Sequence, residues 1–182
     1  MSAGHPGASF TLRAHAGLLR ALVTDCGFCV GFDPHVAPPP VHPPFETVKA
    51  IWDTGATNSV ITQAVVDRCS LKPISLRQVS GVNGLHTAEV YIVNVRLPNG
   101  VAFQQIEVTK GILGNGIDAL IGMDLITRGD FVVSNKGGVT VFTFRCPSTL
   151  DMDFARDSRP QVSASRGAAP TPNQLKRARR KK

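Results

Sequence analysis

Residues 49–62, KAIWDTGATNSVIT, place one carboxylate, Asp53, between an apolar run and a Gly-Ala turn, then return to apolar residues at Val60 and Ile61. An ionised side chain leaving a buried strand is costly without partners, so this placement calls for either a structural or a chemical purpose. Gly55 lies where backbone can approach the carboxylate closely. The tripeptide Asp53-Thr54-Gly55 is a weak signal alone, but its flanks and two later stretches strengthen it. VSGVNGLHTAEVYIV sets Ser80, Gly81, Val82, Asn83 and Gly84 at a tip between two β-prone runs. IDALIGMDLI supplies an apolar-apolar-glycine element, Leu120, Ile121 and Gly122, ahead of one expected turn of helix.

The remaining groups with chemical potential read as structural. Cys26 and Cys29 form a C-x-x-C, while Cys69 and Cys146 are isolated. A redox pair normally opens a helix that lowers the thiol pKa, and a zinc site wants a second close pair, so these cysteines are expected to be small apolar strand residues. Ser59 and Ser80 lack a nucleophile-elbow context. His86 is expected to be exposed on a strand rather than to touch a ligand, and Asp118 and Asp130 to sit at element edges. Asp151 and Asp153 lie in a polar segment without a partner motif. No metal and no organic cofactor are expected.

The chain has 182 residues and is 42% apolar, enough for one domain plus tails. Its formal charge of +7 is carried wholly by Arg166, Lys176, Arg177, Arg179, Arg180, Lys181 and Lys182, leaving the remainder neutral. That distribution argues for a basic C-terminal arm instead of a basic binding face. No aromatic residue interleaves the charges, so a solvated tail is expected ahead of a contact with nucleic acid or an acidic partner. AGLLRALV, broken by Arg20, falls short of a secretory core, and no apolar run approaches transmembrane length. A reducing, cytoplasmic setting without membrane contact is expected.

The elements that must position Asp53 are mostly strands. Residues 1–16 read as a flexible lead-in, with order beginning near Leu18. LLRALVTDCGFCV suggests two short β runs about Thr24 and Asp25, and a proline-rich connector follows at 37–44. From Thr47, TVKAIWD, SVIT, ISLRQVS, AEVYIVNVRL, VAFQQIEVT, DALIG and VTVFTF alternate with turn signals. One helix is expected at QAVVDRCS, capped by Thr62, and a helical turn at MDLITRG. The domain is thus expected over 17–146, with its core at 45–145 and a polar, basic, disordered tail at 147–182.

Three elements in this order, Asp53-Thr54-Gly55-Ala56, the glycine-punctuated hairpin and Leu120-Ile121-Gly122, resemble the retropepsin-like aspartic proteases over about Thr47 to Phe144. The similarity is greatest to non-viral, bacterial-type members, which carry a helix after the catalytic turn and a strand pair like EVYIVNVRLPNG. The resemblance implies a mostly β acid-protease barrel with one or two short helices. It implies that Asp53 is catalytic, that Thr54, Gly55 and Ala56 shape its turn, and that Leu120, Ile121 and Gly122 brace that turn. Ser80 to Gly84 would form a flap over an extended peptide or protein substrate. With one Asp-Thr-Gly per chain, hydrolysis through paired carboxylates implies a homodimer; the rival is a silent dimerisation or peptide-binding module. Where retroviral enzymes commonly carry an acid and an arginine paired near the dimer contact, this chain has Thr57 and Met123. The dimer contact must then be built differently, with the strands around Leu18 to Val30 as the expected substitute. Asp124 is expected to start a helix or serve an interface. Pepsin-like enzymes often place a hydroxyl where this chain has Ala56, which implies an activity optimum above pepsin's.

Overall fold

Alternating apolar residues build the strands, and the computed structural model describes residues 8–34, 42–81 and 84–157. Contacts divide the chain into two units, Met1–Leu150 and Asp151–Lys182. In the first, β1 (Ala8–Arg13), β2 (Leu22–Val30), β3 (Glu46–Trp52) and β4 (Val60–Ile61) precede helix α1 (Gln63–Arg68). Strands β5 (Ser75–Gly81), β6 (Gly84–Arg96), β7 (Ala102–Lys110) and β8 (Ala119–Ile121) follow, then helix α2 (Met123–Ile126), β9 (Asp130–Ser134) and β10 (Val141–Cys146). The larger sheet runs β2-β3-β8-β4-β7-β6-β5, and β2 also pairs with β6, so the pairings return on themselves. The smaller sheet runs β1-β10-β9. The fold is mostly β, as expected.

Burial follows the period of two that a half-buried strand requires. Val48, Ala50 and Trp52 of β3 point inward, as do Cys26 and Phe28 of β2. Trp52 joins the two sheets: its ring lies 5.0 Å from Phe144, 5.2 Å from Phe142 and 5.8 Å from Phe10, centroid to centroid. Its indole N–H donates to Thr24 Oγ1 at 2.9 Å, satisfying a polar atom inside an apolar cluster. The residue before Asp53 is therefore anchored on all sides.

Several expectations are corrected. Residues 8–13 are not a flexible lead-in: they form β1, paired with β10 from Ala8↔Cys146 to Arg13↔Val141, with Phe10 and Leu12 packed on the core. The two expected runs near Thr24 are one strand, β2, whose residues Leu22–Phe28 pair with β3 and Gly27–Val30 with β6, so that Gly27 and Phe28 pair on both edges. This strand is a core element, whereas β1 and β9 form the outer edges of the smaller sheet. Strand β9 was not expected at all. Thr62 stands at the start of α1 in extended conformation, but its side chain makes no cap, and its buried Oγ1 has no partner. The connector's residues 37–41 lie outside the described residues, as does the basic arm.

In the second unit, α3 (Phe154–Asp157) begins where Asp153 Oδ1 accepts the Arg156 N–H at 3.0 Å. No helix among the described residues is long and apolar enough to cross a membrane.

Candidate active site

Strand β3 delivers Asp53 to the end of the larger sheet. Its parallel ladder with β8 pairs Trp52 with Ile121 and extends one step further, through Asp53 N–H to Ile121 O at 3.0 Å. The chain then turns. Asp53 Oδ1 accepts the Gly55 N–H at 2.8 Å, and Asp53 O accepts the Ala56 N–H at 3.3 Å. An aspartate accepting from the backbone two residues on is a recurrent turn device. It also fixes one carboxylate oxygen and aims the other. Asp53 and Ala56 are half-buried, while Thr54 and Gly55 are exposed, so the carboxylate stands at the boundary with solvent.

The chain returns as β4, which pairs with β8 on its other side, Val60 with Leu120 and Ile61 with Ala119. Leu120 and Ile121 thus run between the two arms of the Asp53 turn. Gly122 ends the brace where no larger residue fits, since a Cβ there would lie 2.7 Å from the Asn58 carbonyl and 3.0 Å from Ala56 O. Beyond it, Met123 N–H donates to Ala56 O at 2.8 Å and Asp124 N–H to Thr57 O at 3.1 Å. The turn and brace are stitched together by backbone from Asp53 through Thr57.

Side chains add a second set of ties. Ser59 is fully buried. Its N–H donates to Asp124 Oδ2 at 3.0 Å, and its hydroxyl donates to Asp124 Oδ1 at 2.8 Å. The same hydroxyl oxygen accepts the Gly122 N–H at 3.1 Å. Sequence reasoning weighed Ser59 only as a nucleophile and missed this role. No spacing rule links it to a carboxylate 65 positions away.

Ser80, Gly81 and Gly84 lie on the β5–β6 hairpin, closed by the pair Gly81↔Gly84; Val82 and Asn83 are outside the described residues. The hairpin end projects from the core, with Leu85 76% exposed, before β6 becomes buried at Ala88. No hydrogen bond joins this end to the Asp53 turn among the described residues. The structure thus brings the turn and the brace together. His86 is exposed on β6 opposite Val79. Asp118 pairs with Arg68 at 2.9 Å.

The C-x-x-C lies within strand β2 and does not open a helix. Cys26 and Cys29 are buried on β2, and all four cysteines are free thiols. Burial pushes the Cys26 and Cys69 thiols up to about 11, and raises Cys29 as well. The thiolate needed for redox or metal chemistry is correspondingly scarce near neutrality.

Residues 46–125 match a family model described as aspartyl protease. Among solved structures, the chain is similar to a retropepsin-like aspartic protease from Rickettsia conorii, with 14% identity and a TM-score of 0.47, over 80% of this chain and 99% of that one. It is also similar to the EIAV protease complexed with the inhibitor HBY-793, with 16% identity and a TM-score of 0.41, over 62% of this chain and 91% of that one. For the retroviral protease-like domain of Ddi1 from Leishmania major the identity is 19% and the TM-score 0.38, over 72% and 98%. No curated protein matches the chain. The chain resembles the retropepsin-like aspartic proteases, and the stretch that holds its Asp53 turn, hairpin and brace, residues 46–125, matches the aspartyl protease family.

Proposed function

We propose that the chain is an aspartic endopeptidase that works as a homodimer, each subunit contributing Asp53 to one shared site. The observation that carries this reading is the Asp53 carboxylate itself, half-buried at the mouth of an apolar strand, with one oxygen held by the Gly55 N–H at 2.8 Å. A single lobe that presents one such carboxylate completes a two-carboxylate site by two-fold pairing. Two close carboxylates do not both ionise comfortably, so they share a proton and titrate as a pair.

The chemistry follows from that shared proton. The ionised Asp53 takes a proton from a water lying between the two chains, and the water oxygen attacks the peptide carbonyl. The protonated Asp53 of the other chain hydrogen-bonds the carbonyl oxygen as negative charge develops on it. Collapse of the tetrahedral intermediate expels the amine, which leaves with a proton supplied by the pair. Thr54, Gly55 and Ala56 shape the turn, and Leu120, Ile121 and Gly122 brace it. The hairpin of Ser80, Gly81, Val82, Asn83 and Gly84 acts as the flap, gripping an extended peptide through backbone hydrogen bonds. Neither a metal nor an organic cofactor takes part. Four free thiols, two of them in the core, fit a reducing cytoplasmic setting.

Peptide-library cleavage by purified protein, set against Asp53→Asn, tests the reading. Cleavage at defined bonds that disappears in the variant is the expected result. Folded, dimeric wild-type protein that cuts nothing would instead favour a silent peptide-binding module.

A further inference from the structure

The geometry points to Asp124, acting through Ser59, as the positioning residue that sets how closely two Asp53 carboxylates approach. This rests on the reading of Asp53 as half of a shared pair. The backbone bonds between turn and brace are available to many sequences, but the Asp124 ties are not. One carboxylate collects three donors: Ser59 N–H at 3.0 Å on Oδ2, and Ser59 Oγ–H at 2.8 Å and Leu125 N–H at 3.0 Å on Oδ1. Ser59 Oγ in turn accepts the Gly122 N–H at 3.1 Å. Ser59 closes the arm that leads back from Asp53, Gly122 ends the brace, and Leu125 belongs to α2. Carboxylate and hydroxyl together therefore clamp two separate pieces of backbone, the arm at Ser59 and the continuous segment 122–125, around a fully buried hydroxyl.

An acceptor-only group alone serves all three donors at once. Asn at position 124 turned with its oxygen toward the Oδ1 partners faces its NH2 against the Ser59 N–H. Turned the other way, the NH2 meets the Leu125 N–H. The first orientation leaves the Ser59 N–H without its acceptor, and the second leaves the Leu125 N–H with only its 3.2 Å bond to Gly122 O. Arg128 lies beside Asp124, its Nε donating to the Asp124 carbonyl at 3.1 Å.

Two-fold symmetry amplifies any looseness in this clamp. A displacement of the Asp53 turn along the line joining the pair occurs in both subunits, so the separation of the carboxylates changes by twice the displacement. Their interaction falls with distance, and that interaction is what spreads the two apparent pKa values of the pair. Asp124 thereby bears on proton sharing without touching substrate.

The test is a carboxyl-carbon NMR titration of Asp53 in the full-length dimer, alongside the pH profile of kcat. Wild type, Asp124→Asn, Ser59→Ala and a control, Val65→Ala, are compared; Val65 is a buried residue of α1 outside the clamp. In both clamp variants the two Asp53 titration steps should move toward each other. Their kcat should fall on the order of 10- to 100-fold while KM stays within about threefold, as misplacement of reacting groups predicts. The control should lose thermal stability yet keep the wild-type spacing of steps. If Asp124→Asn does not fold, Ser59→Ala decides, since it removes the hydroxyl alone and leaves the carboxylate with the N–H groups of residues 59 and 125. Wild-type spacing in a folded clamp variant, or equal narrowing in the control, would overturn the inference while leaving the pair intact. A single titration step in wild type would overturn both the inference and the pair.

Discussion

At position 53 an amide can replace the carboxylate structurally while failing chemically. Asn keeps an oxygen to accept the Gly55 N–H, and the backbone tie to Ile121 is indifferent to the side chain. Asp53→Asn should therefore keep wild-type urea unfolding within about 0.5 kcal/mol, the range typical of substitutions that disturb no packing. Cleavage should be lost, because the amide neither accepts the water's proton nor shares one. Gly122 is the opposite case. A methyl group there meets the Asn58 carbonyl at 2.7 Å, backbone that cannot step aside alone. Gly122→Ala should destabilise by about 1–3 kcal/mol, as forced overpacking does, and should weaken cleavage through the turn it displaces. A variant with unchanged urea midpoint and rate would show that turn and brace are not packed this tightly. Asp53 and Gly122 were both legible in the sequence, since a charge after an apolar run and a glycine after two apolar residues are local signals. Ser59 and Asp124 were not, because their meaning arises only when β4 and α2 meet.

Elements were legible where their pattern was long and hidden where it was short. Strands β6 and β7 run for 13 and nine residues, rich in valine, isoleucine and aromatic positions, and read plainly as strands. Strand β1 has six residues, Ala8 to Arg13, set among glycine, alanine and histidine, and its partner residues in β10 lie 128 to 138 positions away. Strand β9, Asp130–Ser134, is five residues long and gains its meaning from Phe131 packing against Trp52 and Phe142. Its first residue, read as an element edge, turns out to be an anchor. Asp130 accepts from the Ser148 hydroxyl at 2.6 Å, the Thr149 N–H at 3.0 Å and the Arg145 guanidinium at 2.6 Å. These donors, Ser148 foremost, hold its pKa well below the usual carboxylate range. A depressed native pKa stabilises the fold above the unfolded value, about 3.9, and that contribution is lost as pH falls through the native value. Asp130→Asn should therefore melt below wild type at pH 7 and at pH 5, with the gap closing only in strong acid. A gap that closes already between pH 7 and pH 5 would contradict the anchor.

At the scale of the whole molecule, the proposed shared site would tie activity to association and to proton count. Raising the pH removes the shared proton and with it the acid partner, so activity should peak at mildly acidic pH; a rate climbing steadily into alkaline buffer would oppose this. The Asp130 anchor, retained in that window, allows the fold to persist there. Mixing makes the sharper demand. If inactive Asp53→Asn chains exchange freely with an equal amount of wild type, random pairing leaves about a quarter of the dimers with two aspartates. Activity per total chain should then fall to about a quarter of the wild-type value, whereas chains that each held a complete site would keep about half. The measurement requires a protein concentration well above the dimer dissociation constant, since dilution alone separates subunits and lowers specific activity. Subunit exchange must be followed independently, for example by differently labelled chains. Activity strictly proportional to the wild-type fraction, with exchange complete, would show that Asp53 acts within one chain and would require a second acid from elsewhere in that chain.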